Sequence, residues 1–187
     1  MNMNDFSISH VEGKSRVGLL KTSRGEVETP VFMPVGTAAT VKAMLPETLG
    51  TIGAQIILCN TYHLMIRPGE KVVNHLGGLN AFMNWSGPIL TDSGGFQVMS
   101  LAKLRQLNEN GVTFRSHVDG KKFLLTPETS IMIQETLKST IIMAFDECTP
   151  FPVEKKIAEK SMKLSSRWAE RSKASFKGSN GSMLFGI

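Results

Sequence analysis

The sequence predicts an α/β fold: the N-terminal half of a (β/α)8 barrel, set behind a small antiparallel sheet. Three observations carry that expectation. Near-continuous apolar runs recur at 30–36 (PVFMPVG), 54–60 (AQIILCN), 88–92 (PILTD), 140–147 (TIIMAFDE) and 182–187 (SMLFGI). Segments with helical signals lie between them, and apolar strands alternating with helices indicate parallel βα units buried on both sides. The third observation is the count. Four complete strand–helix units are followed by a fifth strand that begins at Met183, within 187 residues. A full eight-unit barrel takes about 250 residues, so the chain is expected to run halfway round one.

The elements follow in order. Residues 1–30 read as antiparallel strands, with an Arg24-Gly25 turn signal inside RVGLLKTSRGEVETPVF. Residues 30–187 then supply the first four βα units and the start of the fifth strand, all within a single partial domain. Helices are expected at 40–52, which includes a Pro-Glu start, and at 68–83, from Pro68-Gly69 onward. Another starts at Thr126, a plausible N-cap with Pro127 at the first helical position. The last, 153–176, places Ile157, Ser161, Leu164 and Trp168 on one face. One segment interrupts the alternation. GVTFRSHVDGKKFLL sets Asp119-Gly120 between two strand-like stretches, a hairpin signal. It reads as a β-hairpin insertion between the third strand and its following helix.

Composition narrows the class. With 41% hydrophobic and 20% charged residues, the chain fits one soluble globular domain or a piece of one. No apolar run approaches the roughly 18 residues of a membrane span. The polar opening MNMNDFSISH lacks a basic-then-apolar targeting pattern, so a cytoplasmic location is expected. Cys59 and Cys148 form no CxxC pair, and His10, His63, His75 and His117 are scattered singly, so no metal-ligand spacing is visible. The net charge is +5, and the eight basic and three acidic residues from Glu154 to Lys177 account for all of it. Such a stretch fits a polyanionic partner such as nucleic acid. It fits the solvated outer face of a helix as well.

Parallel α/β folds gather binding groups at the carboxyl ends of their strands. Asp92, after PIL, and Asp146, in AFDECTP, meet that rule. A carboxylate there can accept or donate a proton, or hydrogen-bond the N–H edge of a heterocycle, and burial would tune it for acid–base work. Gly94 and Gly95 would let the backbone approach a ligand and offer N–H groups to one of its oxygens. Phe96 offers a flat surface for stacking. The competing reading is structural: Asp92 or Ser93 caps the next helix and the glycines ease the turn. Asn60, Tyr62 and His63 end the second strand and are weaker candidates for the same mouth.

Five segments, FMPVGTAATVKAMLPE, NTYHLMIRPG, ILTDSGGFQVMSL, VTFRSHVDG and MAFDECTPFP, closely resemble the bacterial queuine tRNA-ribosyltransferases, or tRNA-guanine transglycosylases. TDSGGFQ together with FDEC at this separation is the specific part. The resemblance implies an irregular (β/α)8 TIM barrel with an N-terminal antiparallel sheet. It implies exchange of guanine at wobble position 34 of tRNAs with GUN anticodons for a 7-deazaguanine, the aminomethyl precursor of queuine. It implies Asp92 as general acid/base, Asp92, Ser93, Gly94, Gly95 and Phe96 as parts of the base pocket, and Asp146 as the acid reading the purine N–H edge. Cys148 would lie near the base and Asn60 near the ribose. The partners so implied are tRNA and the 7-deazaguanine base, with a homodimer for the full-length family.

The family chain is about twice as long as these 187 residues. The nucleophilic aspartate, a basic tRNA-contacting segment and the CxCxxC…H ligands of a structural zinc belong to its later half. No cofactor is therefore expected in this chain, and base exchange by it alone is not expected. Two other classes stay open: an N-glycoside hydrolase using an Asp pair, and a noncatalytic tRNA-binding or dimer-partner fragment.

Overall fold

The computed structural model describes residues 5–101 and 105–187; residues 1–4 of the expected N-terminal strand segment lie outside it. Strands β1 (Phe6–Glu12), β2 (Ser15–Thr22) and β3 (Gly25–Thr29) form an antiparallel sheet in that order. The β2–β3 turn is closed by the Thr22 hydroxyl, which donates to Gly25 O at 2.7 Å and accepts from Arg24 N at 3.1 Å.

A mixed α/β body follows. Its elements are α1 (Pro46–Thr51), β4 (Ile57–Cys59), α2 (Thr61–Ile66), α3 (Glu70–His75), α4 (Leu79–Met83), β5 (Ile89–Thr91) and α5 (Gly95–Leu101). Then come β6 (Arg105–Asn108), β7 (Gly111–Arg115), β8 (Lys122–Leu125), α6 (Pro127–Thr136), β9 (Ile141–Met143), α7 (Lys155–Ser175) and β10 (Met183–Phe185). Strands β4, β5, β9 and β10 make one parallel sheet in which each strand lies beside the next in chain order. Residues 30–36 give an isolated bridge from Val35 to Leu58 instead of a full strand. Pro30 and Pro34 carry no N–H, which limits the ladder there to Leu58 N–Pro34 O at 3.0 Å and Gly36 N–Leu58 O at 2.6 Å.

The parallel strands bury both faces, and alternation sorts their residues into two cores. Ile57, Cys59 and Ile89 join the helices through Leu64, Val73, Leu79, Leu137, Leu164 and Trp168. Leu58, Leu90, Ile141 and Met183 face the other way, onto Phe6, Leu20 and Val27 of the N-terminal sheet. That sheet therefore covers the side of the parallel strands that the helices leave open.

Local chemistry sets the helix limits. The 68–83 segment breaks into α3 and α4 at Gly77 and Gly78, both at positive φ, with Gly78 N donating back to Val73 O at 2.9 Å. Thr126 caps α6 in a reciprocal arrangement with Thr129. On α7 the buried face is Ser161, Leu164, Trp168 and Ser172, while Ile157 in the first turn is half exposed. The face extends one step further towards the C-terminus because the Ser172 hydroxyl accepts from Phe145 N at 3.2 Å.

Residues 105–125 form a three-stranded antiparallel sheet, β6-β7-β8, with Asp119 and Gly120 in the β7–β8 connection. Helix α7 holds it from behind. Trp168 Nε1 donates to Glu109 O at 2.8 Å, Arg167 pairs bidentately with Glu109, and Arg171 pairs bidentately with Glu128 of α6. Part of the basic surplus is thus committed to internal contacts. Among the described residues no helix is long and apolar enough to cross a membrane.

Candidate active site

The β5 and β9 strands are neighbours, with Leu90 beside Ile141 and Thr91 beside Ile142. Asp92 is the first residue past β5, and Asp146 lies three residues past β9. Both carboxylates therefore leave the sheet at its carboxyl end, where parallel α/β folds place their ligands. A buried amide fixes their relative height. Gln134 Oε1 accepts from Thr91 Oγ1 and from Met143 N, both at 2.9 Å, and Gln134 Nε2 donates to Met143 O at 3.0 Å. Sequence reasoning did not single out Gln134; a polar residue among the apolar positions of α6 was the available signal.

Asp92 is held from several directions. Its Oδ1 accepts from Thr61 N at 2.9 Å and Gly94 N at 3.2 Å, and its Oδ2 accepts a short bond from Asn60 Nδ2. The Thr61 hydroxyl donates to its carbonyl at 2.6 Å. Burial pushes the Asp92 carboxyl above its ordinary range, against the opposing pull of hydrogen bonds from Asn60, Thr61, Gln97 and Gly94. A carboxyl so placed is easier to protonate than one in water, yet its donors still support the anion. Both forms are chemically accessible. Helix α2, which supplies Thr61, was not anticipated. Asn60 precedes it as a favoured capping type, but its side chain goes to Asp92 and caps nothing.

Ser93 links the two strand ends. Its hydroxyl donates to Asp146 Oδ1 at 2.9 Å and accepts from Gly95 N at 3.2 Å. Asp146 Oδ2 in turn receives the Cys148 thiol at 3.4 Å. Burial and then the Asp146 charge push that thiol up to about 12, which removes its nucleophilic thiolate at neutral pH.

The glycines act on the chain itself. Gly94 sits at φ +86, a conformation that L side chains rarely adopt. A Cβ on Gly95 would meet Asp146 O at 2.6 Å, so the room beside it is already taken by the second acid. Their N–H groups, expected to face a ligand oxygen, turn to Asp92 and Ser93 because those acceptors lie within the same tight turn. Phe96 is 58% exposed on the first turn of α5.

Asp146, Gly95 and Cys148 line a cavity of about 100 Å³ with Val98, Arg105 and Val112. Beside Asp92, Gln97 Oε1 is buried with no partner among the described residues. An unpaired buried acceptor is costly unless a ligand donor meets it. Gln97 lies inside the TDSGGFQ motif, and sequence reasoning assigned it no role of its own.

Tyr62 and His63 lie beside the Asp92 turn, where the Asp92 charge reaches the His63 ring, but among the described residues their side chains hydrogen-bond neither acid. The Tyr62 hydroxyl lies 3.0 Å from His117 Nδ1, and the His63 ring meets both rings edge-on. Burial, and then the neighbouring His117, lower the His63 imidazole below its ordinary range. The described residues contain no group of three or more His, Cys, Asp or Glu able to hold a metal.

Comparison with known proteins places the chain in a family. The model of the family described as queuine tRNA-ribosyltransferase covers residues 11–187. The chain is 58% identical over 184 residues to the queuine tRNA-ribosyltransferase of Jannaschia sp. (strain CCS1), covering 98% of this chain and 49% of that protein. It is 56% identical over 187 residues to the protein of the same name from Rickettsia akari (strain Hartford), covering 100% of this chain and 52% of the relative. The chain thus spans about half the length of the curated relatives it matches. With the whole of the acid pair, the Ser93 link and the Gln97 acceptor inside the matched region, the chain belongs to the queuine tRNA-ribosyltransferase family.

Proposed function

We propose that these residues form the acid/base half of a tRNA-guanine transglycosylase, on the first half of a (β/α)8 barrel with the β6–β8 sheet inserted after its third strand. The reaction exchanges guanine at wobble position 34 of tRNAs with GUN anticodons for 7-aminomethyl-7-deazaguanine. The observation that carries the reading is the joined pair of strand-end carboxylates, Asp92 and Asp146, bridged through Ser93.

In this reading the target base is unstacked and flipped into the cavity. Asp146 and Gln97 Oε1 accept hydrogen bonds from its N–H edge, Ser93, Gly94 and Gly95 shape the wall, and Phe96 stacks on the ring. Protonated Asp92 donates to the departing guanine as the glycosidic bond breaks. As a carboxylate it then takes a proton from the incoming base. Retention of configuration requires two displacements through a covalent ribosyl–enzyme intermediate. The nucleophilic carboxylate is assigned, by the resemblance, to the half of the family chain beyond the matched region. The partners are tRNA and a 7-deazaguanine, and the compartment is the cytoplasm.

Two measurements test the reading. Guanine binding to the purified chain, followed by saturation-transfer NMR, should be lost in Asp146→Asn; unchanged binding would overturn the base-site assignment. Labelled guanine should not enter unmodified tRNA with these 187 residues alone. Release of free base from a nucleoside without incorporation would instead indicate a hydrolase.

A further inference from the structure

Asp146 stands on a stretch that has left the sheet. Ala144 N still donates to Phe185 O at 2.9 Å, but β9 ends at Met143 and residues 144–150 adopt no regular structure. The backbone on either side of the acid is met by hydroxyls of α7 instead. Phe145 N donates to Ser172 Oγ at 3.2 Å, and Glu147 N donates to Ser165 Oγ at 2.9 Å. The Ser161 hydroxyl donates to Glu147 O at 3.2 Å. Positions 161, 165, 168 and 172 follow helical spacing, so the three serines share a face with Trp168. Trp168 adds its ring, stacked on Phe145 with centroids 4.9 Å apart.

Packing alone does not call for serine on that face. Ser172 is fully buried and Ser161 nearly so, and alanine is the better helix former at such a contact. A serine inside a helix commonly turns back to the carbonyl four residues earlier, as Ser166 does to Met162 O at 3.0 Å. Ser161, Ser165 and Ser172 reach across to residues 145 and 147. The side chain between those anchors is engaged by the neighbouring loop. Asp146 Oδ1 accepts from Ser93 Oγ at 2.9 Å, and its Oδ2 lies 3.4 Å from Cys148 Sγ. Asp146 is thus gripped from two sides, its flanking peptides from α7 and its carboxylate from the loop after β5.

We propose that Ser161, Ser165 and Ser172 are positioning residues, which set the height and direction of the Asp146 carboxylate through the peptide groups on either side of it. Their part in holding a base rests on the base-exchange reading; the anchoring of Asp146 does not.

The test compares Ser165→Ala, Ser172→Ala and Ser165→Thr in the full chain. Guanine affinity, followed by saturation-transfer NMR, should fall by about three- to tenfold in each alanine variant as a hydrogen bond to a charged group is misaligned. Ser165→Thr keeps a hydroxyl and should restore it. Iodoacetamide labelling at pH 8 is the second readout, with fully buried Cys59 as the gauge of global opening. Both alanine variants should speed labelling of Cys148 by about threefold or more as the thiol parts from its carboxylate, with Cys59 unchanged. Lower stability in urea, with guanine affinity and Cys148 labelling both unchanged, would reduce the serines to packing and overturn the proposal. Equal acceleration at both cysteines would do the same. If the wild-type chain binds no guanine, faster labelling of Cys148 alone upholds the anchoring and sinks the base-site reading. If it binds guanine and the alanine variants bind it equally well, the positioning role falls and the base-site reading stands.

Discussion

A methyl group on Gly95 would sit 2.6 Å from the carbonyl oxygen of Asp146. The glycine in the DSGG motif therefore lets one strand-end loop press against the next. Gly95→Ala should push Asp146 away and destabilise the chain by about 1–3 kcal/mol, the usual range for overpacking. Urea denaturation measures the loss. Guanine affinity should fall with it, by about tenfold for each 1.4 kcal/mol of binding energy forfeited at the site.

Asp92 sets function against stability. Its carboxyl is raised by burial, so ionisation is harder in the folded chain than in the unfolded one. The contribution of such a group is fully present below the unfolded value, about 3.9, and is lost as pH rises through the folded value. Asp92→Asn removes that ionisation. The variant should melt higher than wild type at pH 7, by about 2–4 °C per kcal/mol gained, and the difference should close near pH 4. A wild-type advantage at pH 7 would mean that the donors around Asp92 outweigh its burial.

The Arg171–Glu128 pair has the opposite sign. Its two bonds, at 2.7 and 2.8 Å, hold the Glu128 carboxyl down at about 2. Its stabilisation is present above the unfolded glutamate value of about 4.3 and drains away as pH falls towards about 2. Because Glu128 is partly exposed, solvent screening limits the pair itself to about 1 kcal/mol. Arg171→Ala also frees the Glu109 and Asn110 carbonyls that the guanidinium bridges. The expected cost is about 1–2 kcal/mol at pH 7, shrinking at pH 2.5, by urea titration at both values.

Cys148 should resist alkylation. Burial and the Asp146 carboxylate hold its thiol near 12, so iodoacetamide at pH 8 should react far more slowly than with an unperturbed cysteine of pKa about 8.5. Asp146→Asn removes the charge and should accelerate labelling. Mass spectrometry resolves Cys148 from Cys59, which is fully buried.

Much of this arrangement was legible in the sequence because it rests on local signals. Apolar runs marked β4, β5, β9 and β10, Thr126-Pro127 marked the start of α6, and the two acids followed the runs directly. What stayed hidden depends on contacts between distant segments. Nothing near Gly95 announces Asp146, and nothing near Gln134 announces Met143. Helix α2 escaped because a single residue, Asn60, separates TYHLMI from the strand, and that natural cap is drawn to Asp92. The 68–83 segment split because two successive glycines outweigh its helical periodicity.

Strands of three residues, such as β5 and β9, contribute few ladder bonds, and short ladders are prone to slip. Gln134 grips Thr91 on one strand and both backbone groups of Met143 on the other. It therefore works as a key for register, cut for one alignment only. A slip of a single residue would break every one of these bonds and turn Asp92 and Asp146 towards different levels of the mouth. The alignment of the chemistry is thus written on a helix behind the sheet, out of reach of any ligand in the mouth.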